Sequence, residues 1–295
     1  MLKKLALIFI SLFVLSTPAY ASEKVNPALW LISDHDSKIW LFGTIHALDK
    51  KIKWRTPKIT KALTETDTLY LEVSLDEMSG QKAIALISEY GLNKNGQSLF
   101  DLLTPKTNTA LKQLITKYNL PENFKQQLAP MRPWLAALTF LNIQMMHEQI
   151  DPQSGVDQSL ENAAKLFKKE IRYLETIEQQ LGLFGNLSPE DDLRFFEDSI
   201  IQMADSPEML HTMLDLWKTG DTEGLADFMN VTFSQFPNLQ KSFLFDRNKN
   251  WANQIDTMMK GSGNIFIAVG AGHLGGEKSV QWYLEQKGYN ITRVQ

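Results

Sequence analysis

The chain has 295 residues, a formal charge of −4 and no cysteine. The lack of thiols excludes disulfides, thiolate chemistry and a thiol-linked lipid anchor. The acidic balance excludes the basic footprint of a nucleic-acid binder, and the length suits one large α/β domain carrying a helical insert.

The first 21 residues read as a secretory signal peptide rather than as part of the fold. Lys3 and Lys4 precede an apolar run over residues 5–15, and Pro18-Ala-Tyr-Ala21 supplies a small-x-small cleavage site. The run is too short for a transmembrane span, and no later stretch is long and apolar enough for one. Cleavage after Ala21 removes two lysines and takes the formal charge of the remaining 274 residues to −6. Export to a bacterial periplasm is the expectation.

Residues 28–33 and 38–42 predict a strand pair around the turn cluster Asp34-His-Asp-Ser37, with His35 solvated in the turn. The second strand runs into Gly43-Thr-Ile-His46. Pro57 opens a helix at the position where its missing N–H costs least. Residues 68–73 form the next strand, with Glu72 near its end, and a helix over 80–90 closes at Gly91. From 98 to 127 the pattern is helical, punctuated by Pro105 and Pro121. A long apolar helix follows from Met131 to His147, whose methionines and aromatics read as core. Residues 151–155 form a loop, and 156–169 an amphipathic helix that carries Asp157.

Residues 170–175 predict a strand ending in Glu175, with a helix over 176–184 that holds Glu178 and Gln179 in its first turn. Glu175 and Glu178 are three apart, a spacing that shares one face of a helix. A helical block spans 188–229, and another helix runs over 244–260 with Asp246, Arg247 and Asn248 at its start. The chain closes with a strand over 265–269, the loop Gly270-Ala-Gly-His273, a helix over 277–287 and a last strand over 289–294.

Two of the five histidines thus share one context: an apolar strand, a glycine, and histidine three positions after it. Continuous apolar runs are the mark of buried parallel strands. Ligands in open α/β sheets bind outside the carboxyl ends of such strands. Glycine there lets the backbone turn or approach a ligand, so Gly43, Gly270 and Gly272 are expected beside a bound group. Imidazoles and carboxylates are the usual ligands of catalytic divalent metals. His46, Glu72 and His273 form such a set if the strands converge, holding a divalent metal such as zinc. Glu175 or Glu178 is then expected to carry a proton, and Arg247 to steady an oxyanion or bind a substrate carboxylate.

The chain has no His-Glu-x-x-His, no Gly-x-Ser-x-Gly and no Walker loop. Gly270-Ala-Gly272-His-Leu-Gly275 fits the dinucleotide fingerprint in letters. The strand after it ends in Thr292-Arg-Val-Gln295, with no acidic residue for a ribose, so a nicotinamide or flavin is not expected.

These residues resemble the TraB/GumN family, which includes pheromone-shutdown proteins and the Tiki proteases. The likeness rests on Gly43-Thr-Ile-His46, the Leu-Tyr-Leu-Glu72 strand, Leu174-Glu-Thr-Ile-Glu-Gln179, Arg247-Asn248 and Val269-Gly-Ala-Gly-His-Leu-Gly-Gly276, in the family's order. It implies a metal-dependent hydrolase, with the Tiki branch favouring manganese or cobalt. It also implies a fold like that of erythromycin esterase and ChaN. By that likeness His46, Glu72 and His273 make the site, with Arg247 and Asn248 beside it.

The expected architecture is α/β, with a mixed, largely parallel central sheet flanked by helices and a mostly helical insert over about 98–240. The expected function is an exported metal-dependent peptidase or amidase acting on a peptide or small molecule. The alternative is a periplasmic binding protein of the same fold that holds a peptide, haem or other small ligand without chemistry.

Overall fold

The computed structural model describes residues 25–295; the expected signal peptide lies outside them. Six strands form one sheet: β1 (Leu29–Ser33), β2 (Ser37–Thr44), β3 (Thr68–Leu71), β4 (Glu170–Tyr173), β5 (Gly263–Gly270) and β6 (Ile291–Arg293). Their spatial order is β4-β3-β5-β2-β1-β6. Strands β4, β3, β5 and β2 run parallel, while β1 pairs antiparallel with both β2 and β6. This is the mixed, largely parallel α/β sheet that the apolar runs predict.

Strand alternation explains the layering. Along β5, Phe266 and Ala268 face one side of the sheet, while Ile267 and Val269 face the other. The first side packs under the helices Pro57–Thr64, Val156–Leu166, Met209–Thr219 and Thr222–Phe233. The second packs under Asp246–Met259 and Val280–Gln286. Both faces of the central strands are therefore buried, which is why they read as continuous apolar runs rather than as alternating ones.

The span 98–240 is mostly helical but is interrupted by β4, which forms one edge of the sheet. Within that span, the helices Pro105–Lys117, Pro133–His147 and Pro189–Asp205 share a separate apolar cluster around Phe140 and Phe196. The helix Met209–Thr219 ends at Gly220, whose φ of +72° is the left-handed cap that glycine adopts without strain. Two predicted helices begin two or three residues late, one at Pro133 and one at Val280 after the Ser279 cap. The helix after residue 170 starts at Ile177, with Thr176 and Gln179 forming a capping box. Glu175 thus precedes the helix, and it shares no helical face with Glu178.

Candidate active site

The parallel register sets the site. Gly43 pairs with Val269 and Thr44 with Gly270, so β2 and β5 end side by side. The residues after them carry His46 and His273 to one edge of the sheet. Strand β3 lies on the other side of β5, and Glu72 follows its last residue. The Glu175 N–H donates to the Glu72 carbonyl at 2.8 Å, which extends the β3–β4 pairing and brings Glu175 to the same edge. Four neighbouring parallel strands thus each deliver one polar side chain, in the order Glu175, Glu72, His273, His46.

Gly270 stands at the centre. A Cβ built on it would lie 3.2 Å from Glu72 Oε1, 3.5 Å from His273 Cδ2 and 3.7 Å from His46 Nε2. The side chains from three strands therefore converge on the space that glycine leaves empty. Its backbone N–H donates to Glu72 Oε1 at 2.6 Å. Gly43 instead packs: its carbonyl accepts from Trp217 Nε1 at 2.9 Å, and a Cβ there would press on Ala271 at 3.0 Å. Gly272 faces Met229.

Arg247 ties the buried half together. Its Nη2 donates to Glu72 Oε2 at 2.6 Å and to Glu175 Oε2 at 2.9 Å, and its Nε donates to Glu175 Oε1 at 2.9 Å. Its Nη1 donates to the Phe243 carbonyl and to His273 Nε2, both at 3.2 Å. Those contacts use the five N–H groups of a guanidinium. In this arrangement Arg247 has no donor left for a substrate oxygen, and both Glu175 oxygens are taken by Arg247. Arg247, expected to bind an oxyanion or a substrate carboxylate, is thus joined to Glu72, Glu175 and His273, and Glu175, expected with Glu178 as a candidate proton carrier, is joined to Arg247. Arg247 follows a π-helical turn, Lys241–Phe245, and stacks 4.6 Å over Trp251 one helical turn on.

His273 is buried, and its tautomer follows from its partners. Nδ1 meets Asn248 Oδ1 at 2.6 Å, and the Asn248 amide donates its own N–H to the Lys278 carbonyl. An amide oxygen only accepts, so Nδ1 carries the proton and Nε2 holds a lone pair. Burial and then the Arg247 charge pull the His273 pKa down to about 3, keeping the ring neutral. Burial would raise the pKa of Glu72, but Arg247, the two histidines and the Gly270 N–H outweigh it, lowering it to about 2.

His46 is held through the same nitrogen by a different partner, and with a different charge. Its Nδ1 lies 2.8 Å from Asp157 Oδ2, and Asp157 Oδ1 accepts from Thr44 Oγ1 at 2.7 Å. Gly155 makes this approach possible: a Cβ there would fall 2.2 Å from the His46 carbonyl oxygen. The Val156 N–H donates to the Ile45 carbonyl at 2.9 Å and fixes the helix start that carries Asp157. The Asp157 charge, opposed by burial, raises the His46 pKa to about 9. The imidazole is 69% exposed and lines a cavity.

The cavity beside His46 and His273 has a volume of about 410 Å³. A wider depression of about 790 Å³ lies on the Glu175 side, lined by Glu77, Lys82 and Arg172, and it reaches neither histidine.

Glu178 stays outside this arrangement. Its side chain is 43% exposed and pairs with Lys82 at 2.6 Å. His35 is solvent-exposed in the β1–β2 turn, and His147 ends its helix. Three contributors went unassigned in the sequence: Asp157, Thr44 and Gln180, whose Nε2 donates to Glu72 Oε2 at 3.0 Å. The spacing of Asp157 held a signal. It shares the face of Leu160, Glu161 and Ala164, all buried, and a carboxylate on an apolar helix face needs a partner.

The donor set suits a divalent cation in kind. Each histidine turns its Nε2 away from an oxygen that holds Nδ1–H, as metal-bound histidines do; that of His273 carries a lone pair, and that of His46 must give up a proton to an incoming cation before it can ligate. Two carboxylates, Glu72 and Glu175, face the single guanidinium of Arg247, and a third, Asp157, faces His46. The fit is open rather than closed, since Arg247 donates to His273 Nε2. Among the described residues, the one trio of such donor atoms within 4.8 Å of one another is Asp34, His35 and Asp36, exposed in a turn.

The model of the TraB/PrgY/gumN family matches residues 28–293. The chain belongs to that family. It is 27% identical to the Escherichia coli protein described as uncharacterized protein YbaP, over 49% of this chain and 53% of that protein. It is 23% identical to Metalloprotease TIKI1 of Danio rerio, over 92% of this chain and 63% of that protein. With Metalloprotease TIKI2 of Xenopus tropicalis it shares 22% identity, over 93% of this chain and 61% of that protein. The chain therefore spans between half and two thirds of the length of these relatives. No solved structure matches it. Among the described residues, no helix is long and apolar enough to cross a membrane.

Proposed function

We propose that this protein is a metal-dependent hydrolase of peptides or amides, exported to the periplasm. The observation that carries the reading is the convergence of His46, Glu72 and His273 on the vacant side of Gly270, at the edge of an apolar cavity. The likeness to proteins named metalloproteases supports it.

His46 and His273, which line the cavity, would hold the ion with Glu72 as the third donor. A bound divalent ion lowers the pKa of water and polarises a carbonyl. The chain's own contribution is orientation. Asp157 holds Nδ1 of His46 and leaves Nε2 toward the cavity, and Asn248 does the same for His273. Arg247 and Gln180 fix the Glu72 carboxylate as an anion. The apolar wall sheds water around the reacting group, which strengthens every charge contact there.

A second reading rests on a specific contact: Arg247 donates to His273 Nε2, the atom a metal would need. A binding protein that holds a peptide, haem or other small ligand without turnover would keep that bond. Incubating the purified protein with a peptide library, with and without manganese, beside His46→Ala, separates the two. Manganese-dependent cleavage absent from His46→Ala supports the hydrolase; tight binding without turnover under any divalent ion overturns it.

A further inference from the structure

The cavity beside His46 and His273 points to a substrate class. The ends of β2 and β5 form its floor, and helices supply its large apolar side chains. Leu141 and Met145 lie one turn apart on Pro133–His147, and Leu225 and Met229 one turn apart on Thr222–Phe233. Met213 comes from Met209–Thr219, and Leu244 from the π-helical turn before Arg247. No Asp, Glu, Lys or Arg lines it; apart from the two histidines, its polar side chains are Thr44 and Asn142. The volume of about 410 Å³ falls within the ~300–1,000 Å³ usual for small-molecule sites.

We propose that this cavity is the specificity pocket of the site and takes one large apolar side chain, leucine-like or aromatic, from the residue next to the bond that is cut. The proposal rests on the hydrolase reading for the bond, but the pocket's chemistry stands apart from it. An apolar side chain here would remove its own surface and that of the wall from water, at roughly 25 cal/mol per Å². The one charge on the lining, that of His46, is already paired with Asp157, so a charged side chain would be buried without a free partner and the wall rejects it. Three methionines give the wall adaptable shape, which suits a class of apolar side chains more than a single one. The charged depression on the Glu175 side reaches neither histidine, so it does not compete for this role.

The test titrates the full chain with N-acetyl-leucinamide, N-acetyl-phenylalaninamide, N-acetyl-aspartamide, N-acetyl-lysinamide and octanoate, read by calorimetry and by methyl-labelled methionine NMR. The two apolar amides are expected to bind at least tenfold more tightly than the charged amides and octanoate, shifting the methyl signals of Met145, Met213 and Met229. Met229→Trp, which fills the cavity, is expected to weaken them at least tenfold, and Leu141→Lys provides a second block if that variant misfolds. Equal binding of charged amides, unmoved methyl signals in the wild type, or undiminished binding in a folded blocked variant would overturn the pocket. Tighter binding of octanoate would reassign it to an acyl chain and overturn the peptide class. Apolar-amide binding with no cleavage of leucine- or phenylalanine-containing peptides under any divalent ion supports the pocket while removing the hydrolase.

Discussion

The two Gly-x-x-His stretches match in sequence spacing and end adjacent parallel strands, yet they create opposite surroundings. His273 is buried, with Asn248 on one nitrogen and Arg247 on the other. His46 rests on Asp157 through one nitrogen and turns the other to an open cavity. The difference comes from what the neighbouring helices bring. The helix Asp246–Met259 places a cation and an amide over His273, and the helix Val156–Leu166 places a carboxylate under His46. A shared local motif thus yields one anchored and one presented imidazole.

Breaking the anchored side should cost most. Arg247→Met leaves Glu72 and Glu175, each 6% exposed, as buried carboxylates without their cation. Denaturant unfolding is expected to show a loss of about 3–5 kcal/mol. His46→Ala on the presented side takes the partner from buried Asp157, which keeps its bond from Thr44 Oγ1, and should cost less, about 1–3 kcal/mol. Equal losses in both would erase the contrast between the two imidazoles.

Asp157→Asn sharpens the presented side. The amide keeps the shape but loses the charge behind His46, and manganese affinity by calorimetry should fall about 10–100-fold. The same variant should flatten a pH effect in the metal-free protein. The folded pKa of His46 is about 9 against an ordinary value of 6.5, so its ion pair contributes fully below pH 6.5 and is lost as pH rises through about 9. Melting temperatures measured in chelator should therefore show this contribution declining across that window in the parent and much less in Asp157→Asn. A contribution that grows with rising pH would contradict the pairing. The smallest effect belongs to Glu178→Gln, which breaks an exposed pair with Lys82 and should move neither metal affinity nor stability by more than about 1 kcal/mol.

Much of this was legible before any coordinates. Apolar runs ending in glycine located β2 and β5, and strand ends located His46, His273, Glu72 and Glu175, because period and punctuation are local properties of the chain. The partners of those residues were less legible. Arg247 was placed near the site but given a substrate to hold, since no local pattern reveals that Glu72 and Glu175 use its donors. Asp157 is visible on an amphipathic helix but has no role there, because that role arises from a contact 111 positions away. Glu178 looked equivalent to Glu175 under helical spacing, and the Thr176 cap starts the helix between them. Local sequence thus shows which groups reach the sheet edge, and long-range packing decides which of them remain free there.

The central claim is that distant parts of the chain build one cation site. Titrating manganese into the metal-free parent, His46→Ala and His273→Ala, read by electron paramagnetic resonance, tests it directly. The account predicts one ion per parent chain and stoichiometric binding lost in both variants; one ion per chain retained in both would contradict it.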